Sequence, residues 1–260
     1  MDNEYVSNTL YHFVGGGVMK DSGLTAGEKD EACFQRLLTV LGSGFISAKG
    51  LDGEWQHQES MVSISINPDG HLKHGDFDGF LVKGAITCYC DIPLTSIGVH
   101  AGKYGKFGLG VSASVLAGYG ARPVSYVPLA NNGAFEPNYK SYGLLNNMTE
   151  EISRLHREVS DWEDEHNPED EEGWQEIEIQ HPLSGIGRIL ERDVAAFIKP
   201  YNCELSLTDP DNYYTEREWR LLGSVEITPR TVQRLIVAAG FAERLRKELP
   251  QFSGYEIHEL

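Results

Sequence analysis

The residues best suited to chemistry lie between positions 213 and 222, where the chain reads YYTEREWRLL. This stretch holds two carboxylates, two guanidiniums and three aromatic rings. If it forms a strand, the alternation of side chains places Glu216, Glu218 and Arg220 on one face. Two acids held side by side raise the pKa of one of them or bind a cationic or hydroxyl-rich partner. The alternative is an edge strand whose arginines and glutamates pair with a neighbouring strand.

A second candidate is His12, in a predicted first strand at 10–14 that ends at three consecutive glycines. A histidine in such a position can hold the hydroxyl groups of a ligand, or it can bond a backbone carbonyl in the core. The glycines let the backbone approach a ligand closely. They do not form a phosphate loop, because neither a following Lys-Ser/Thr pair nor GxGxxG spacing is present.

His100 and Tyr104 lie four residues apart in a predicted helix and therefore share one of its faces. Gly105 is expected to end this helix, and a strand is predicted at 107–111. Gly108 and Gly110 share one face of that strand, which indicates that another group packs close to the backbone there.

The elements that position these residues are strands interspersed with short helices. A capping box, with Thr25 as N-cap and Glu28 three residues later, opens a helix that is expected to end at Gly42 and Gly44. Further strands are expected at 61–66, 85–90, 123–127, 213–225, 231–237 and 255–258, and further helices at 112–119 and 241–249. This order predicts an α+β fold with a mixed, mainly antiparallel sheet, in a single domain spanning 1–260.

An acidic segment at about 150–178 is predicted to be an insertion or exposed loop. Its acids are Asp161, Glu163, Asp164, Glu165, Glu169, Asp170, Glu171 and Glu172. It either remains a solvated surface or meets a basic partner. A second polar cluster, His71, His74, Asp76 and Asp78, lacks the spacing of a known metal site, so no metal is expected.

The overall composition and charge exclude several classes of function. The net charge of −17 argues against direct binding of nucleic acid or of anionic membranes, since both require a cationic surface. No apolar run approaches the roughly 20 residues of a membrane span, and the start of the chain does not read as a secretory signal. The four cysteines lack a disulfide framework, which predicts a cytoplasmic protein with reduced thiols.

The nucleophile elbow, Walker, CxxC, HExxH and kinase motifs are not found in the sequence. The order of an early histidine, an aromatic and glycine-rich middle and a late acid fits transfer of ADP-ribose from NAD. In that chemistry a carboxylate steadies an oxocarbenium-like transition state. Glu218 would be catalytic, with Glu216 in the paired-acid spacing of arginine-directed enzymes. The candidates for binding NAD and its phosphates are His12, His100, Tyr104, Arg217 and Arg220.

Several short motifs together resemble the AbiGi family, the antitoxin component of an abortive phage-resistance system. They are LYHF at 10–13, CYCDIPL at 88–94, HAGKYGKFGLG at 100–110, ARPVSYV at 121–127 and YTEREWR at 214–220. The resemblance implies anti-phage biology and a protein partner, such as a toxin, but no particular reaction. The opening YHF and the late acid also resemble DarT-type ADP-ribosyltransferases.

Two hypotheses follow from these observations. The first is an interaction protein, an antitoxin or defence regulator that binds a partner protein through its acidic surface. The second is an ADP-ribosyltransferase-like enzyme that uses NAD, with Glu218 at its centre. The sequence leaves the choice between them open.

Overall fold

The computed structural model describes residues 8–46, 86–129, 140–166, 181–207, 209 and 212–260. The strand predicted at 61–66 and the cluster at 71–78 lie outside these residues. The chain divides into two compact units, the first comprising Met1–Glu59, Gly84–Val124 and Ser206–Leu260, and the second Ser60–Lys83 and Ser125–Leu205. The assignment of 1–260 to one domain with an acidic insertion stays a prediction.

The described elements alternate strands with mostly short helices. The strands are β1 Thr9–Phe13, β2 Phe45–Ile46, β3 Ile86–Cys90, β4 Gly108–Ser112, β5 Arg122–Pro123, β6 Ser125–Leu129, β7 Ile198–Asn202, β8 Glu218–Leu222, β9 Val225–Glu226, β10 Val232–Val237 and β11 Ile257–Glu259. The α-helices are α1 Gly16–Met19, α2 Ala26–Ser43, α3 Ile97–Tyr104, α4 Ala113–Gly118, α5 Lys140–His166, α6 Ser184–Ile189 and α7 Ala242–Glu248. Short 3₁₀ turns lie at Leu94–Ser96, Ala195–Phe197, Tyr213–Glu216 and Pro250–Phe252, and a π-helical turn at Leu190–Val194.

Within the described residues, the main sheet of the first unit has seven strands in the order β11-β10-β4-β1-β3-β8-β5. Its neighbours pair antiparallel except β10 and β11, which are parallel. The predicted α+β class with a mainly antiparallel sheet is therefore confirmed.

The register of the central strands assigns side chains to the two faces of the sheet. Tyr11 lies opposite Cys90, and Cys90 lies opposite Glu218. Directly opposed residues share a face, so these three side chains project to one side. The next residues along the same strands, including His12 and Tyr89, project to the other side.

The principal core fills the second of these faces, where α2 packs against the sheet. The apolar stripe of α2 buries Phe34 and Leu37 against Leu10 of β1 and Leu109 of β4. The predicted capping box is present: the Thr25 backbone N–H donates to Glu28 Oε2 at 2.8 Å, and the Glu28 N–H donates to Thr25 Oγ1 at 3.4 Å.

The end of α2 differs slightly from the sequence prediction. Gly44 ends the helix at a left-handed φ of 74°, as predicted, whereas Gly42 lies inside the last turn. Only the residue after the last helical position needs positive φ, so a glycine two positions earlier does not interrupt the helix.

The prediction of one strand over 213–225 was wrong at both ends, because β8 covers only Glu218–Leu222 and Val225 belongs to β9, which pairs with β2 in a separate sheet. Tyr213–Glu216 forms a 3₁₀ turn, opened by the Asn212 side chain, which accepts from the Tyr214 N–H at 3.1 Å. Arg217 then has a left-handed φ of 46°, which breaks the alternation of side chains. The strand β8 therefore begins only at Glu218.

The second unit contains α5, α6 and the parallel pair β6–β7. The helix α5 runs from Lys140 to His166 and includes the first part of the predicted acidic segment. Its apolar side buries Ile152 and Leu155, one turn apart. The remainder of the predicted acidic segment, 167–178, lies outside the described residues. The described helices include none with the length and apolar character needed to cross a membrane.

Candidate functional site

Glu216 is the centre of a buried polar cluster in the first unit. The 3₁₀ turn carries its side chain inward, and the residue is 5% exposed. Its Oε1 accepts from Lys103 Nζ at 2.7 Å and from the Tyr104 hydroxyl at 2.6 Å. Because both donors belong to the last turn of α3, one carboxylate joins that helix to the turn before β8.

Lys103 has a second partner in the same turn. Its Nζ lies 3.6 Å from the centroid of the Tyr213 ring, a cation–π geometry. The ammonium is therefore neutralised by Glu216 and covered by an aromatic face.

Arg217 links the turn to the end of β3. Its Nη2 donates to Asp91 Oδ2 at 2.9 Å, and the Asp91 N–H donates to the Arg217 carbonyl at 3.2 Å. The Asp91 carboxylate is buried, whereas the Arg217 side chain is about half exposed. This two-way contact holds Arg217 in its left-handed conformation, which costs a non-glycine residue free energy.

Glu218 forms an ion pair within its own strand. Arg220 Nε donates to Glu218 Oε1 at 2.7 Å, and both side chains are buried. Residues two apart in a strand share a face, so the pair spans one pleat. The two predicted alternatives were a pair of acids and a ladder to a neighbouring strand, whereas the structure pairs an acid and an arginine along a single strand.

His12 lies on the opposite face of the sheet from Glu218. Its ring centroid is 5.6 Å from that of Tyr89. Its Nδ1 lies 2.9 Å from the Cys88 carbonyl oxygen, and since a carbonyl can only accept, Nδ1 carries the proton. Burial lowers the pKa of His12, and the bond to Cys88 opposes this shift. Of the two roles that the sequence left open for this histidine, the bond to a backbone carbonyl is present.

His100 and Tyr104 share a face of α3, as their spacing predicts. Their ring centroids are 4.9 Å apart, and Phe13 packs on His100 at 5.6 Å. Burial, followed by the charge of Glu216, raises the pKa of the Tyr104 hydroxyl above its usual value. The same two causes raise the pKa of the Cys90 thiol. Both groups therefore remain protonated beside the carboxylate.

The structure thus brings Glu216, Tyr104 and His100 together and separates them from His12. Lys103 and Asp91, which were not predicted from the sequence, complete the cluster. Lys103 adjoins Tyr104 in the chain, but its partner is 113 residues away, so only the topology reveals the contact.

The contacts of this cluster hold neighbouring elements of the first unit together. Consecutive residues Glu216, Arg217 and Glu218 bind three different groups: the end of α3, Asp91 after β3 and Arg220 in β8. Within the described residues there is no group of three or more His, Cys, Asp or Glu side chains able to hold a metal ion. The catalytic and cofactor-binding roles assigned from the sequence to this region stay predictions.

Comparison with known proteins identifies the family. The family model described as "Putative abortive phage resistance protein AbiGi, antitoxin" matches residues 80–252. The chain belongs to the AbiGi family. The AbiGi match includes β3, α3 and the segment 213–222, and hence the whole Glu216 cluster. Neither the curated proteins nor the solved structures yield a match to the chain. The likeness to DarT-type enzymes stays a prediction.

Proposed function

We propose that this AbiGi-family protein is the antitoxin component of an abortive phage-resistance system and acts by binding a partner protein, the toxin. The observation that carries the proposal is the family match, which extends over two thirds of the sequence and has an antitoxin description. An antitoxin needs a recognition surface rather than a reaction centre.

The charge of the molecule supports recognition of a basic partner. The net charge is −17, and the final turns of α5 expose Asp161, Asp164 and Glu165 to solvent. A surface of one sign accelerates encounter with an oppositely charged protein and disfavours wrong partners. The same sign of charge disfavours binding to nucleic acid.

The buried contacts of Glu216 and Glu218, the two acids given catalytic roles from the sequence, support a structural role for both. Glu216 is bonded to Lys103 and Tyr104, and Glu218 to Arg220. Breaking such a buried pair leaves an uncompensated charge, so freeing either carboxylate for chemistry would carry a large cost in free energy.

Co-expression with candidate toxins, taken from the genes that flank its own in the genome, tests the proposal. The chain is expected to restore the growth of cells that produce the toxin, and to remain bound to the toxin during purification. Asp161→Asn/Asp164→Asn should weaken both effects. The matched control is Glu226→Gln/Glu243→Gln, which removes the same charge from exposed positions in the first unit. Undiminished toxicity in the presence of the folded chain would refute the proposal.

The alternative proposal is ADP-ribosyl transfer from NAD, supported by the contact of Tyr104 and His100 beside the Glu216 carboxylate. If catalysis operates, purified protein incubated with NAD releases nicotinamide, and Glu218→Gln or Glu216→Gln abolishes the release. If the chain acts only as an antitoxin, wild-type protein and the two glutamate variants will give the same nicotinamide signal. In that case NAD will also cause no rise in melting temperature, because a ligand that binds only the folded state must raise that temperature.

A further inference from the structure

The seven-stranded sheet of the first unit has two edges that differ in character. At one edge, β5 has only two residues, Arg122 and Pro123, and proline has no backbone N–H to offer. Proline and extreme shortness both prevent a sheet edge from pairing with another chain. At the other edge, β11 contains no proline and pairs only with β10 among the described strands. The β11 edge therefore lacks the protection that the β5 edge has.

The hydrogen bonds between β10 and β11 leave four backbone groups of β11 directed outward. The Leu235 N–H donates to the Glu256 carbonyl, and the Leu260 N–H donates back to β10, each at 2.9 Å. In a parallel ladder, alternate residues of a strand bond the same neighbour. The residues between them, Ile257 and Glu259, therefore direct their N–H and C=O groups away from β10. One added antiparallel strand would bond all four groups, because each hydrogen-bonded pair of residues exchanges two bonds.

The side chains at this edge combine an apolar margin with ordered acids. Ile257 is half-buried at the border of the main core cluster. Glu259 is exposed, and its Oε1 accepts from the Gly240 N–H at 2.8 Å. Glu256 is 58% exposed in its side chain, and its Oε2 accepts from Arg234 Nη2 at 2.8 Å. Because the partner of Glu259 is a neutral N–H group, the negative charge of this carboxylate is not compensated by that bond.

We propose that β11 binds an extended segment of the partner protein as an added antiparallel strand. The segment carries an apolar β-branched residue opposite Ile257 and a lysine or arginine opposite Glu259. This inference rests on the proposed function and names the kind of segment that the antitoxin recognises. The outward backbone groups and side chains of Ile257 and Glu259 are called the β11 edge below.

Charge and side-chain pattern select this occupant. Directly opposed side chains of an antiparallel pair contact each other, so an apolar residue extends the core margin at Ile257 and a cation neutralises Glu259. In this mode of recognition the backbone bonds supply affinity and the alternate side chains supply specificity. A second copy of the chain would bring another Glu259 and another net charge of −17 to the edge, and charges of the same sign repel.

Backbone-methylated peptides provide the first test. The probe is the labelled peptide Thr-Lys-Thr-Val-Thr-Lys-Thr, titrated with the full chain and followed by fluorescence anisotropy. In the proposed register the valine lies opposite Ile257 and the lysine before it lies opposite Glu259. N-methylation of that valine and that lysine removes the two donors to β11 and should weaken binding at least about tenfold. N-methylation of the two threonines beside the valine, whose N–H groups point away from β11, should leave affinity within about threefold. Equal losses from the two methylation patterns would overturn the inference.

Exchange of backbone amide protons with deuterium, followed by NMR, locates the contact. In the chain alone, the Ile257 and Glu259 amides should exchange faster than the Leu260 amide, which is bonded to β10. Saturation with the unmodified peptide should slow exchange at Ile257 and Glu259 at least about tenfold and leave Leu260 within about twofold. Unchanged exchange at both edge residues would overturn the inference. Protection that appears without peptide and grows with the concentration of the chain would assign the edge to a second copy and also overturn it.

A pair of variants at one position isolates the backbone donor. Ile257→Pro removes an outward N–H that β10 does not use, whereas Ile257→Val keeps this N–H and most of the packing. Ile257→Pro should weaken the unmodified peptide at least about tenfold, and Ile257→Val should stay within about twofold of wild type. The melting temperature of each variant verifies that it is folded in the assay. Equal affinities of the folded variants would overturn the inference.

The toxin assay separates this inference from the proposed function. If wild-type protein neutralises a candidate toxin, and Ile257→Pro neutralises it equally well, the β11 edge is refuted while the antitoxin function stands. If wild-type protein neutralises none of the candidate toxins, the proposed function is refuted and the inference falls with it. The expected result is neutralisation by wild-type protein and by Ile257→Val, with a clear loss in Ile257→Pro.

Discussion

At the scale of residues, the segment Glu216-Arg217-Glu218 connects parts of the first unit that are far apart in sequence. Each side chain has an oppositely charged partner, and two of these partners lie more than 100 residues away. The sequence shows that the segment is rich in charge, but it cannot show which charges meet. Spacing does reveal the contact of His100 with Tyr104, because i, i+4 neighbours on a helix are fixed by local geometry.

Replacement of Glu216 should reveal the energetic role of the cluster. Glu216→Gln leaves the Lys103 ammonium without its carboxylate, and we expect a loss of about 2–3 kcal/mol in the free energy of unfolding. Lys103 is partly solvated, which limits the loss. Urea denaturation measures it, with the exposed Glu226→Gln as control.

A double-mutant cycle isolates the pair itself. Lys103→Met/Glu216→Gln removes both charges and should be more stable than the sum of the two single losses predicts, by about 1–2 kcal/mol. Strict additivity of the single changes would contradict the view that the two groups stabilise each other.

The pKa of His12 predicts a dependence of stability on pH. Burial lowers this pKa in the folded state, so below the unfolded value of about 6.5 the unfolded chain binds a proton that the folded chain does not. Stability should therefore fall as pH decreases from 7.5 through 6.5 to 5.5. His12→Gln, whose amide can still donate to the Cys88 carbonyl, should lose this component. Parallel pH profiles for the two proteins, measured by urea denaturation, would contradict the assignment.

At the scale of elements, local signals in the sequence predict helices well and strand ends less well. The capping box of α2 and the left-handed Gly44 were predicted correctly, because each depends on residues that are close in sequence. The turn before β8 was missed because its break is an arginine with positive φ, and arginine is not a residue type that marks such a position. The contact with Asp91 that holds it there is made between distant segments.

Two glycines test the packing of elements with opposite expected signs. In β4, a Cβ on Gly108 would lie 2.6 Å from the His12 carbonyl oxygen, so Gly108→Ala should destabilise the protein by about 2 kcal/mol or more. In α3, a Cβ on Gly98 meets nothing within 4 Å, so Gly98→Ala should stabilise it by about 0.5–1 kcal/mol. Thermal denaturation compares the two variants. A tolerated alanine at 108 would contradict the close approach of β1 and β4.

At the scale of the whole molecule, the short motifs that resemble the AbiGi family indicated the class of function, and the family match confirms the family. A net charge of −17 argues for a basic partner, and the family match supplies an antitoxin description. The sequence marks the acidic segment at about 150–178 by its composition, but it does not mark the limits of the two units.

The most direct test of the account is size-exclusion chromatography, with light scattering, of the chain mixed with a candidate toxin whose activity it neutralises on co-expression. The account predicts a complex of defined stoichiometry that added salt weakens and that Asp161→Asn/Asp164→Asn destabilises more than Glu226→Gln/Glu243→Gln. Separate elution of the two folded proteins at micromolar concentration and low salt would contradict the claim that this chain acts by binding a partner.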